Sequence, residues 1–352
     1  MILHQLYFSQ SGWYRQWVFL LSLVLVIYTN TAQAESTSDG LVNQVKDEYW
    51  SIQLENDFFA QSGDRYYTHG TEVSRVVMGE PSPWLKDISN LFPAFESDGV
   101  TIGVNYSMGQ KIFTPDNTRA KELVVDDRPY AGYLYFTAAV LSRISRQNNI
   151  DTANLIEFTL GVVGPSALGE EVQTGYHDLI GIDSPNGWDN QLKDEPALGL
   201  SYTRFWRHIK PSSMVDYGMT PHVNITLGNV YTYAASGVMF RFGTHLNNDL
   251  FPPNIRPGFP GLSFFSPRQQ NSWYLFAGIE GRMVARNIFL DGNTFKDSHS
   301  VDKKLLVGDF QYGVVFQRGR IRFSISNMIR TKEFKGQKDN TNFGAVNISF
   351  LL

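Results

Sequence analysis

The chain of 352 residues contains no cysteine. Disulfides, thiolate metal sites and a cysteine nucleophile are therefore excluded. A basic excess is missing as well: 30 Lys and Arg stand against 34 Asp and Glu, a net charge of −4. That balance argues against nucleic acid as a partner, which would call for a positive surface. Long apolar runs are scarce. Beyond residue 34 none reaches the roughly 18 residues of a membrane helix, and mean hydropathy is −0.23. There is also no Gly-x-Ser-x-Gly elbow and no convincing Ser/His/Asp set. A metal or general-base route is favoured over a serine nucleophile.

One early apolar run is present. Trp17–Tyr28 follows Arg15 and closes on Ala32-Gln33-Ala34, a small-x-small pattern. It is short for a membrane span and reads as a secretory signal peptide over residues 1–34, cleaved after Ala34. The alternative is an uncleaved anchor. Cleavage would leave 29 basic against 34 acidic residues, a net charge of −5. Export, 14% aromatic residues, 30 glycines and no cysteine together point to a bacterial outer-membrane barrel. Residues 35–352 read as its single domain.

The strand signal is clearest around residue 222. Tyr217, Met219, Pro221, Val223, Ile225 and Leu227 alternate with Gly218, Thr220, His222, Asn224, Thr226 and Gly228. Such an apolar face is longer than a soluble edge needs, and its recurrence along the chain says that the outside faces lipid. Segments of this kind are Trp50–Glu55, Thr68–Val77, Thr101–Ser107, Tyr133–Val140, Leu155–Val163, Gly199–Trp206, Tyr217–Gly228, Gly237–Gly243, Ser272–Arg282, Val307–Phe316, Arg320–Met328 and Phe343–Leu352.

Twelve is an even number, as a closed antiparallel barrel in bacteria needs, and closure is forced because an open edge in lipid would strand N–H and C=O groups. The expected class is thus all-β, a closed antiparallel transmembrane β-barrel of twelve strands with long extracellular loops that include a short helix. A soluble β-sandwich is the alternative. Trp and Tyr near strand ends would form interfacial girdles. Glu157, Arg204, His222, Asn224, Glu280, Arg282 and Arg322 would line the lumen. The connections 56–67, 108–132, 164–198 and 283–306 are long and chemically dense, which places them at the outer surface.

Four clusters could carry chemistry. Glu55-Asn56-Asp57 ends a strand, with Asp64-Arg65-Tyr66-Tyr67-Thr68-His69 close behind. Acid and amide oxygens suit Ca²⁺, and an Asn-Asp turn beside an Asp–Arg pair is the plainer reading. Lys111, within Gly109-Gln110-Lys111, could hold a phosphate or simply snorkel. Arg128, flanked by Asp126 and Asp127, suggests a structural ion-pair network. If residues 168–179 are helical, Gln173 and His177 are spaced i, i+4 and share a face. Histidine is the natural general base near neutral pH, although a loop histidine is commonly only a surface residue. Arg282 and Arg286 flank Asn287–Phe295, where phosphate contact and a hydrogen-bonded turn are both open.

The ordered set of motifs resembles the outer-membrane lipid A 3′-O-deacylase family. It runs from Glu55-Asn56-Asp57 and Asp64-Arg65-Tyr66-Tyr67-Thr68 through Gly109-Gln110 and Thr114-Pro115 to Asp127-Arg128-Pro129-Tyr130-Ala131-Gly132. Gly161-Val162-Val163-Gly164-Pro165, Gln173 with His177, and Gly187-Trp188-Asp189-Asn190-Gln191-Leu192 follow. Arg286 to Phe295 and Thr331-Lys332-Glu333-Phe334 close it. Singly each motif is weak, but in order they cover nearly all of residues 35–352.

The resemblance implies Ca²⁺-dependent hydrolysis of the 3′ acyloxyacyl ester of lipid A, at a site near the outer leaflet between the wall and a loop helix. It implies His177 as the base, with Asn56 and Asp57 in the metal and active-site cluster. Thr68 is implied as an essential hydroxyl, and Gln173 and Lys111 as substrate-positioning groups. A further acidic metal ligand would be Asp183 or Asp178. His69 departs from the Asn or Ser expected after the threonine, which puts substrate preference in question. Lipopolysaccharide is the implied partner and a monomer the simplest assembly. A passive porin and a surface-binding barrel without catalysis are the alternatives. If the leader is removed as read, intact-mass measurement of the protein from outer membranes finds Glu35 as its first residue.

Overall fold

The computed structural model describes residues 48–59, 65–79, 83, 87, 100–145, 150–248 and 271–351. The leader read over residues 1–34 lies outside them. The chain divides into two compact units: Lys46–Gly175 with Ser184–Leu352, and a second whose described part is Tyr176–Asp183.

The larger unit is a closed barrel of twelve antiparallel strands, each paired with its neighbours in sequence. They are β1 Glu48–Asn56, β2 Tyr66–Met78, β3 Val100–Thr114, β4 Ala131–Ser145, β5 Ile150–Val163 and β6 Glu195–Lys210, then β7 Asp216–Gly228, β8 Tyr231–Gly243, β9 Ser272–Asn287, β10 Leu306–Arg318, β11 Ile321–Arg330 and β12 Thr341–Leu351. Closure is made by β1 against β12, from Tyr49 opposite Leu351 to Asn56 opposite Gly344. A helix, α1, spans Gly169–Ile180, and a single helical turn, α2, spans Ile288–Asp291.

The twelve strands are those read from the alternation, but several run further toward one rim. β3 continues to Thr114, β6 begins at Glu195, β8 at Tyr231, and β9 reaches Asn287. Both faces of the wall are covered there, since Ile112, Phe113, Thr114, Ala131, Gly132 and Tyr133 are all buried. With no face left exposed, the polar/apolar alternation that marks a strand disappears.

Away from that rim the barrel is inside-out relative to a soluble protein. Along β7 the even positions from Asp216 to Thr226 are buried and the odd ones exposed or half-exposed. Leu160, Leu198 and Ile279 are each 58–59% exposed, whereas Arg207, Arg322 and Glu157 are fully buried. Only hydrocarbon on the outside makes that distribution favourable. Tyr217, Phe242 and Trp273 gather at strand ends on the rim where β7 and β9 begin, their ring centroids 5.3 and 6.3 Å apart. They have the place of an interfacial girdle.

Inside, charge is paired. His222 Nε2 lies 2.8 Å from Glu280, and Asp151 accepts from Arg143 at 2.6 Å and from Arg207 at 2.8 Å. Arg204 departs from expectation. It stands between the inward Thr203 and Phe205, half-exposed, with its guanidinium 5.9 Å from the Trp206 ring. Arg207 is the buried arginine of β6, because strand parity is set by the buried Ala197, Ser201, Thr203 and Phe205.

Strand direction puts the connections 57–65, 115–130, 164–194, 288–305 and 331–340 on one rim. These include all four loops singled out in the sequence. Two further long connections, 79–99 and 244–271, leave from the other rim and fall largely outside the described residues. At the loop-bearing rim a buried network closes the interior. Arg128 donates to Glu333 at 3.0 Å, Arg330 lies 3.8 Å from Glu333, and Asp309 is held by Arg282 and Arg330 at 2.9 Å each. The Asp–Arg–Pro motif is thus the ion-pair network its sequence suggests. Burial pushes the Asp127 carboxyl up from its ordinary range, against two backbone N–H donors, of Asp116 and Arg128.

Burial also works against ionising Glu333, but Arg128, Arg330 and Arg282 together outweigh it and hold its carboxyl below the usual range. A lowered folded-state value means stability that is present above the unfolded carboxylate value, about pH 4.3, and is lost as pH falls through the folded one. Glu333→Gln leaves buried guanidinium groups uncompensated and should cost about 3–5 kcal/mol at pH 7. The deficit should shrink in acid, as read by urea unfolding at pH 7 and pH 3. Val223→Arg, near the middle of the lipid-facing β7, should cost about 2–4 kcal/mol in the same assay in bilayers.

Candidate active site

The candidate residues of the larger unit sit where β1, β2 and β3 meet the loop-bearing rim. Glu55 points into the lumen with Gln53 and Ser51, so Asn56, one residue on, points outward, opposite His69 of β2. A single 3₁₀ turn, Asp57–Phe59, then ends the strand. Asp57 is buried, and its Oδ2 accepts the Arg65 backbone N–H at 2.7 Å. Tyr66 follows with φ at +68°, a left-handed conformation that a buried aromatic residue seldom adopts.

The ladder between β2 and β3 then slips between Tyr67 and His69, so that Thr68 is the extra residue of a bulge. Thr68 is buried with its hydroxyl 2.7 Å from that of Thr114. Bulges beside active sites commonly re-aim a side chain in this way.

Lys111 is elsewhere. It faces the lumen, with Nζ 3.8 Å from Glu55 and 5.7 Å from the Tyr67 ring, whose hydroxyl donates to Glu55. Strand parity turns the Lys111 side chain inward. Its neighbour Gln110 has the outward position and donates to the Ala167 carbonyl at 2.6 Å.

That bond fixes the approach to α1. Gly164 turns the chain at φ +113°, Pro165–Ala167 form one 3₁₀ turn, and Leu168 is left-handed at +58°. Gly169 then lies so close to Gly132 of β4 that a Cβ on Gly169 would stand 2.9 Å from the Gly132 Cα. Two glycines are needed for the helix to start against the wall. Gln173 is buried, and its Oε1 accepts the indole N–H of Trp188 at 3.1 Å. Trp188 packs with Ile112 and Tyr130. The Gln173 oxygen therefore ties α1 to the 187–192 segment.

His177 and Asp183 belong to the unit Tyr176–Asp183. Gly181, at φ +73°, and Ile182 donate their N–H groups to the His177 carbonyl at 2.9 and 3.1 Å, which caps α1. The chain thus returned brings the Asp183 carbonyl 2.8 Å from His177 Nδ1. A carbonyl only accepts, so a neutral imidazole there carries its proton on Nδ1, and Nε2 is the basic nitrogen.

The Asp183 side chain is exposed. Among the described residues no group of three or more His, Asp or Glu side chains forms a metal cluster. Asn56 and Asp57 supply hard oxygens of the kind Ca²⁺ takes, and fit as part of a shell that carbonyls, water and substrate would complete.

One group had no role assigned from the sequence. Glu195, which opens β6, accepts the backbone N–H groups of Thr294 and Phe295 at 2.7 and 3.2 Å, and no local motif signals it. Arg286 donates to the Gly292 carbonyl and the Thr294 hydroxyl at 2.7 and 2.9 Å, so its stretch is the hydrogen-bonded turn.

The model of the family described as outer membrane protein LpxR matches residues 18–352. Among solved structures, LpxR from Salmonella typhimurium superposes with a TM-score of 0.68 at 21% identity, covering 86% of this chain and all of that one. The β domain of the Bordetella autotransporter Brka gives 0.45 at 8% identity, over 87% of this chain and all of that one. No curated protein matches the sequence. On the extent of the family match, the chain belongs to the LpxR family of outer membrane proteins.

Proposed function

We propose that the chain is an outer-membrane lipid A 3′-O-deacylase that hydrolyses the 3′ acyloxyacyl ester with Ca²⁺ and a histidine base. The observation that carries the reading is the family match over residues 18–352. The His177 tautomer set by the Asp183 carbonyl gives the reading its chemistry.

His177 Nε2 takes a proton from water as the water oxygen attacks the ester carbonyl carbon. The bond between that carbon and the sugar oxygen breaks, and the imidazolium returns the proton to the leaving oxygen. An acyloxyacyl acid and a free 3′-hydroxyl result, with the histidine restored. Asn56 and Asp57 would hold the cation, and Asp183 is the further ligand that the family resemblance implies. When bound, Ca²⁺ supplies positive charge where the carbonyl oxygen becomes negative. Thr68, braced by Thr114, orients a hydrogen bond at the outer wall, and Gln173 is the further substrate-positioning residue. Lys111 acts from the lumen side, holding Glu55 behind Asn56.

Lipid A lies in the outer leaflet, so the loop-bearing rim faces outward. The barrel has no open strand edge to pair with a second copy, which supports a monomer. A porin would need a clear lumen; here buried Arg207, Arg241, Arg282, Arg322 and Glu157 occupy inward positions.

Purified barrel in detergent, incubated with lipid A and Ca²⁺, should yield lipid A lacking the 3′ acyloxyacyl mass by mass spectrometry. Chelator should abolish the loss, and His177→Ala should reduce the rate by at least about 10²-fold. Intact lipid A from folded wild-type protein would overturn the assignment, and ion conductance across a bilayer would then favour a pore.

A further inference from the structure

The strained residue between Asp57 and Thr68 is held from outside its own strand. The Tyr66 carbonyl accepts a hydrogen bond from Arg128 Nη1 at 3.0 Å, within the buried interior. Arg128 is itself anchored by Glu333 at 3.0 Å and enclosed by the rings of Tyr66, Phe113 and Phe334, 5.6–6.0 Å from its guanidinium carbon. The Tyr66 ring meets that of Phe334 at 5.9 Å, and its hydroxyl accepts the Lys338 N–H at 3.2 Å.

On one side of Tyr66, the Arg65 N–H points at the Asp57 carboxylate; on the other lies the bulge that carries Thr68. A left-handed conformation at a bulky residue persists only where its surroundings over-determine it, and such residues cluster at functional sites. Here the surroundings include the 115–130 and 331–340 connections, which also reach the Arg65 side chain through Asp116 and Asp339 at 3.3 and 3.5 Å.

We propose that Arg128 is a positioning residue for the active site. By holding the Tyr66 carbonyl it maintains the left-handed turn that aims the Arg65 N–H at Asp57 and opens the bulge bearing Thr68. Glu333 keeps the guanidinium in place. The inference rests on the deacylase reading for its catalytic consequence, while the clamp itself is a statement about the Arg65 amide.

The test uses the full-length barrel with Arg128→Ala, Arg128→Lys, Tyr66→Gly and Tyr66→Ala. Three quantities are read: kcat and KM on lipid A micelles, hydrogen exchange at the Arg65 amide, and the folded fraction from heat-modifiable gel migration. Arg128→Ala should lower kcat on the order of 10- to 100-fold, leave KM nearly unchanged, and speed Arg65 exchange. Arg128→Lys should recover part of both. Tyr66→Gly should exceed Tyr66→Ala several-fold in kcat, because glycine takes positive φ without a Cβ penalty.

Wild-type kcat and wild-type Arg65 exchange in folded Arg128→Ala would overturn the clamp, as would losses that merely track the folded fraction. If Arg128→Ala does not fold, the Tyr66 pair decides, and equal activity of the two would count against it. If wild-type protein leaves lipid A intact, the deacylase reading falls, and Arg65 exchange in the variants alone settles whether the clamp exists.

Discussion

Everything in this structure depends on one backbone requirement: in hydrocarbon, every N–H and C=O must find a partner within the protein. The pairing of β1 with β12 meets it by removing the last free edge. Once the ladder closes, each strand has one face toward lipid and one toward the lumen, and the placement of every side chain follows from parity. Leu160, Leu198 and Ile279 go out; Arg207, Glu157 and Asn224 go in. The polar interior is then costly unless its charges are matched, which is why arginines appear there with carboxylates, as in Asp151 with Arg143 and Arg207.

A wall so constrained leaves little room for chemistry along its length. Function has to gather at a rim, where strands end, bulges are tolerated and loops bring in groups the ladder does not need. The loop-bearing rim shows this division of labour. Its connections bind one another through main-chain acceptors and donors: Asn293 exchanges bonds with both the N–H and the carbonyl of Lys193, at 2.9 and 2.7 Å, and Asn190 reaches the Lys121 carbonyl at 2.9 Å. Such bonds fix loop backbones without consuming the carboxylate and hydroxyl groups that a reaction would use.

Strand number, order and closure were legible in the sequence because lipid imposes a period of two that no loop shares. Strand ends were less so: at Ile112–Thr114 and Ala131–Tyr133 both faces are buried, and a period needs contrast. The helix over 168–179 was legible to within one residue of Gly169–Ile180. The network role of Arg128 could be read from its flanking aspartates, yet its actual partner, Glu333, lies 205 positions away and no local pattern names it. The outward turn of Arg204 was missed for a related reason. Parity in a short polar stretch is decided by neighbours across the sheet, not along the chain.

That last point bears on how motifs in a barrel wall should be understood. Consecutive residues of a strand face opposite sides, so a contiguous motif cannot be a contiguous site. Gln110 bonds the approach to α1 on the outside while Lys111 meets Glu55 on the inside. Glu55 and Asn56 divide in the same manner. A motif such as Glu55-Asn56-Asp57 therefore carries two structural jobs at once, one in the lumen and one at the outer surface. The bulge at Thr68 is the exception that makes a site possible, because an extra residue lets a side chain leave its assigned face without breaking the ladder beyond it. The chemistry of such a wall is set where the period fails, and Tyr66, at positive φ two residues before, marks the place where this chain makes it fail.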